Sequence, residues 1–150
     1  MRYLSILLSL IAMMFSAQSA MAEKRASHRS LVYFARNFSA RELTELNRIQ
    51  RYLLTWFGIQ YTPQSDATFE QWIAKLNTLS GNSFDIYFLQ IVVSYDNNEI
   101  TQGQQILNLS GAHAELKTFI NFISDDDRAE IRVAQSWIQT WSGSDDEHDD

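Results

Sequence analysis

Residues 39–56 read Ser-Ala-Arg-Glu-Leu-Thr-Glu-Leu-Asn-Arg-Ile-Gln-Arg-Tyr-Leu-Leu-Thr-Trp. Leu43, Leu46, Ile49, Tyr52 (or Leu53) and Trp56 recur at spacings of three and four, which places them on one face of an α-helix. The opening Ser39-x-x-Glu42 has the form of a capping box. There the serine hydroxyl takes a free helix N–H and the glutamate reaches back to the serine N–H. This predicts a helix that starts at Ser39, after a short helix from about Leu31 to Arg36. Gly58 and Pro63 predict its end.

The same reading extends to the C-terminal side. Asp66 or Thr68 can cap a helix through Leu79, with Phe69, Trp72, Ile73 and Leu76 as its apolar face. Ser80 to Ser83 form a turn, and Ser83 is expected to cap a long helix from Phe84 to about Leu109 that opens with Phe84, Tyr87, Phe88, Ile91 and Val92. Gly111 breaks it. A last helix is predicted from about His113 to Trp141, with Leu116, Phe119, Ile120, Ile123, Ile131, Trp137, Ile138 and Trp141 facing inward. Asp125-Asp126-Asp127 falls in its middle and predicts a kink or a split. Helical spacing assigns most of the aromatic rings to the core, with Phe57 and Trp141, near helix ends, expected to be the most exposed. One proline and five glycines in 150 residues suit such a chain. The fold class is therefore all-α, an up-and-down helical bundle over residues 31–141.

On the N-terminal side, Arg2 leads into Leu4 to Phe15, where the only polar side chains are Ser5 and Ser9. The small stretch that follows ends in Ala20-Met21-Ala22, a small-x-small site. A cleavable signal peptide over residues 1–22 is the reading, since the apolar run is too short to span a bilayer core of roughly 30 Å. Residues 23–30 would then be a flexible leader, and no membrane span remains after cleavage. The chain has no cysteine, so in an oxidising compartment it must be held by packing rather than disulfides. A periplasmic or secreted location follows.

Charge is uneven. Residues 23–62 carry seven Lys or Arg against three acids, and residues 63–150 carry four against fifteen. The basic helix is expected to pack beside the acidic remainder. The overall excess of acid disfavours nucleic acid as a partner, because phosphate binding needs a concentrated basic patch. Ser142 to Asp150 hold five acids and no apolar residue and predict a solvated acidic tail over 142–150.

Chemistry-bearing motifs are few. There is no Gly-x-Ser-x-Gly elbow, no phosphate loop and no dinucleotide fingerprint. His28 lies in the leader and His148 in the tail, which leaves His113 as the one internal base. A nucleophile needs a base in reach and an orienting group behind it. The expectation is a protein that is not an enzyme. Asp96-x-x-Glu99 and Asp127-x-x-Glu130 place acid pairs at i and i+3 on two neighbouring helices, a spacing by which carboxylates in bundles hold hard cations.

Phe84-Asp85-x-x-Phe88-Leu89, His113-Ala-Glu115-Leu116, Ala129-Glu130-Ile131 and Trp137-Ile138 occur in this order. Residues 84–141 thereby resemble domain-of-unknown-function family 305 (DUF305), small exported ferritin-like helical proteins. The resemblance implies metal handling, copper for some members, through a His-His pair and a Met on the first long helix and Gln and Met on the last. Here the His-His positions hold Tyr95 and Asp96, the first Met position holds Gln102, the Gln position holds Asp127 or Arg128, and the second Met position holds Ala134. Only His113 is kept. The expected function is an exported, non-catalytic helical-bundle protein that has lost most metal ligands, carries no cofactor and binds an unidentified protein or small ligand. The alternative is a protein that binds copper or another divalent metal through a rearranged site of His113, Asp96, Glu99, Asp127 and Glu130.

Overall fold

A computed structural model describes residues 15–63 and 67–143. The segment 1–14 of the expected signal peptide, the Asp66 cap and the tail from 144 with His148 lie outside the described residues. Five helices account for most of the described chain: α1 (Phe15–Arg25), α2 (Arg29–Phe57), α3 (Ala67–Leu76), α4 (Gly81–Leu107) and α5 (Ala114–Gly143). Among the described residues there is no strand, only an isolated bridge between Ala26 and Gly81. The chain divides into two compact units at Gly81–Asn82, and the second nearly coincides with the DUF305-like stretch 84–141.

In the first unit α2 runs unbroken through Ser39. Its buried residues Leu31, Ala35, Phe38, Glu42, Glu45, Ile49 and Tyr52 alternate at four and three over the full length. The two-helix reading and the Ser39 cap are therefore corrected. Nothing between Arg36 and Ala40 breaks a helix, and the residue before the first turn is His28, with extended φ −97° and ψ 120°. Glu42 does not serve as a capping partner; its carboxylate accepts from the Arg41 guanidinium at 3.1 Å. Gly58 ends the helix as expected. Its φ of 65° lies in the left-handed region, and the N–H groups of Gly58 and Ile59 return to the carbonyls of Leu54 and Leu53 at 3.0 and 3.2 Å, the first of these being the bond of an αL closure.

Residues 23–30, expected as a flexible leader, are tied down. Glu23 accepts from Arg36 Nε at 2.9 Å, and Arg25 donates to the Leu79 carbonyl at 3.2 Å. Ala22, the residue before the expected cleavage point, is fully buried. The third helix ends at Leu76, three residues before the expected Leu79, and Thr68 stands inside it rather than at its cap.

The second unit is a helical hairpin of α4 and α5. The Asn82 amide donates to the Trp141 carbonyl at 3.0 Å, which joins the start of α4 to the end of α5 and makes them antiparallel. At the other end, a Cβ on Gly103 would stand 2.9 Å from Ile120 Cγ2, so the missing side chain sets the close approach there. Helix α4 starts at Gly81, so Ser83 is inside it and not its cap. Helix α5 passes through Asp125-Asp126-Asp127 without interruption. Successive residues point about 100° apart, and the three acids differ accordingly: Asp125 is exposed, Asp126 half-buried and Asp127 fully buried. Phe57 is 42% exposed, as expected, but Trp141 is only 8% exposed and stacks on Trp137 with ring centroids 5.2 Å apart.

Candidate functional site

Four acids of the hairpin are buried. Asp85, Asp96 and Asp127 are inaccessible and Glu99 is 5% exposed. On α4, Asp96 and Glu99 are three residues apart and share a face; Asp127 meets them from α5. One carboxylate oxygen from each of Asp96, Glu99 and Asp127 lies within 4.8 Å of the other two. The Tyr95 hydroxyl donates to Glu99 Oε1 at 3.0 Å, which fixes one oxygen of that carboxylate. Three carboxylates so close in a buried setting repel one another, and their joint presence calls for a compensating proton or positive charge.

Of the five residues in the metal alternative, the hairpin brings these three together. Glu130 lies one turn beyond Asp127, half-buried and outside the group. His113 is exposed and immediately precedes α5, where its carbonyl accepts the Lys117 N–H at 3.1 Å. It thus opens the helix. Asp127 is fourteen positions further along the chain, about 21 Å along the helix axis. Arg128, next to Asp127 in sequence, meets the exposed Asp125 at 3.1 Å.

The donor set does not fit copper. It holds three hard oxygen ligands and no imidazole or thioether, whereas copper favours nitrogen and sulfur. A sequence fact sharpens this. All four methionines, Met1, Met13, Met14 and Met21, lie within residues 1–22, and there is no cysteine, so residues 23–150 carry no sulfur ligand. Hard divalent cations, which take carboxylate oxygens at about 2.0–2.6 Å, suit the trio better.

The first unit carries a separate open cleft of about 350 Å³, lined by Asn47, Gln50, Arg51, Leu54, Gln60 and Tyr61. Sequence reading missed it, because its walls join one helix face to a loop that only the Gly58 reversal brings back. Its one legible trace is that Asn47, Gln50, Arg51 and Leu54 are spaced for a single face of α2.

No family model matches the sequence, and no curated protein matches it. Among solved structures, the chain is similar to the crystal structure of a DUF305 protein from Streptomyces coelicolor, described as a candidate secreted protein. The TM-score is 0.74 at 13% identity, over 94% of this chain and 90% of that one. No described helix is long and apolar enough to cross a membrane. With its hairpin motifs in place and its length matched almost throughout, this chain has the fold of a DUF305 protein.

Proposed function

We propose that the chain acts after export as a non-catalytic helical binding protein. Export is supported by the leader pattern of residues 1–22 and by the description of the Streptomyces protein as a candidate secreted one. The observation that carries the non-catalytic reading is the separation of reactive groups. The clustered acids are buried, while His113 stands exposed immediately before α5. A base about 21 Å from the acids cannot share a proton with them or with a substrate held between them. Assay of the exported protein against ester, peptide and glycoside substrates tests this. No turnover above that of a heat-denatured sample is expected; turnover lost in His113→Ala, or in Asp127→Asn with the fold intact, would overturn it.

A second reading has one specific observation in its favour: the convergence of Asp96, Glu99 and Asp127. In it the trio holds a hard divalent cation such as Mn²⁺ or Ca²⁺ through one oxygen of each carboxylate. Calorimetric titration of the exported protein with each ion tests it. One-to-one binding that Asp127→Asn removes is expected; absence of saturable binding at millimolar ion would end the reading.

A further inference from the structure

The open cleft of the first unit has chemistry that neither the acid trio nor the fold accounts for. We propose that it binds a small ligand bearing a free carboxylate next to an amide, that is, a short peptide or N-acyl amino acid held by its C-terminal end. This deepens the binding-protein reading and rests on it.

The cleft is built rather than incidental. The left-handed Gly58 turns the chain back, and the Gln50 side-chain amide donates to the Tyr61 carbonyl at 3.1 Å, which fastens the returning loop to α2. Asn47, Gln50, Arg51 and Leu54 stand on the helix and Gln60 and Tyr61 on the loop. At about 350 Å³ the space is at the small end of ligand sites, which run from about 300 to 1,000 Å³.

Its lining specifies a ligand class. Arg51 offers a planar guanidinium, the group that pairs a carboxylate through two parallel hydrogen bonds. The three acids of residues 23–62 are engaged elsewhere, Glu23 by Arg36 and Glu42 and Glu45 by Arg41. Arg51 stands in no ion pair among the described residues. The carboxamides of Asn47 and Gln60 each present a donor and an acceptor, the complement of a peptide group. Leu54, 57% exposed, gives an apolar wall for a side chain. A carboxylate, an adjacent amide and an aliphatic group match these three elements in turn.

The test is a ¹H–¹⁵N titration of the exported protein with the dipeptide Ala-Leu, its C-terminal amide, and galacturonate as a carboxylate without a peptide group. Saturable shifts at Asn47, Gln50, Arg51, Leu54, Gln60 and Tyr61 are expected with Ala-Leu. Arg51→Gln, at an exposed position that leaves the fold in place, and amidation of the ligand should each weaken binding about tenfold, the scale of a charge-assisted hydrogen bond. Gln60→Ala should weaken it less. No saturable shift with Ala-Leu at tens of millimolar, equal binding of the amidated form, or tighter binding of galacturonate would each overturn the proposal. Cleavage of the dipeptide in the same tube would instead overturn the non-catalytic reading, so the two failures are separable.

Discussion

At the residue scale, two glycines decide local geometry for different reasons. Gly103 lets α4 approach α5, because a Cβ there would meet the stiff, β-branched Ile120 at 2.9 Å. Overpacking of this kind costs about 1–3 kcal/mol, and the helix preference of alanine over glycine returns about 1 kcal/mol. Gly103→Ala is therefore expected to destabilise by about 1 kcal/mol, read as a lower urea midpoint with unchanged slope. Gly58 has open space around it but a φ of 65°. Gly58→Ala should also cost about 1 kcal/mol, here from left-handed backbone strain. Gly58 was legible in sequence because it follows the last apolar position of a helix. Gly103 was not, since the need for a small residue is set by Ile120, seventeen positions away, and appears only once the helices pack.

At the scale of elements, the Ser39–Glu42 motif shows what a local pattern can and cannot say. Ser-x-x-Glu has the same form at a helix start and in a helix interior; the preceding residues decide between them. Leu31, Ala35 and Phe38 continue the buried stripe backwards, but the stripe is masked in sequence because Glu42 and Glu45 occupy two of its positions. Apolar periodicity fails to register a buried face that carries charge. Asp96, Glu99 and Asp127 hide the hairpin interface in the same way, so the regions hardest to read are those where the fold pays to bury acids. Ser39→Ala separates the two accounts of α2. A true cap would lose about 1 kcal/mol, whereas an interior serine should change stability by no more than about 0.5 kcal/mol in chemical denaturation. The acid pairs of the hairpin were visible from their spacing, but which of the five candidates converge depended on helix phase and on the position of His113 outside α5. If the trio holds a cation, Mn²⁺ or Ca²⁺ at one hundred times its Kd should stabilise the protein by about 2.7 kcal/mol. That appears as a melting-temperature rise of several degrees, and it should vanish in Asp127→Asn. Lowering the pH toward the carboxylate range should weaken the effect, because the ligating oxygens must be deprotonated.

At the scale of the whole molecule, the helical class followed from few breakers and repeated three-and-four spacing, and the similarity to a DUF305 structure over 94% of the chain agrees with it. The division at Gly81–Asn82 and the anchoring of residues 23–30 were not legible, since both depend on long-range contacts such as Arg25 to Leu79 and Arg36 to Glu23. The central proposal is that this chain has the fold without a soft-metal site: carboxylates stand at Asp96 and Asp127, and residues 23–150 contain neither methionine nor cysteine. Titration of the exported protein with cuprous and cupric copper, against a competing chelator, tests it most directly. The account predicts no stoichiometric copper site tighter than micromolar; a one-to-one copper site tighter than that, abolished by His113→Ala, would contradict it.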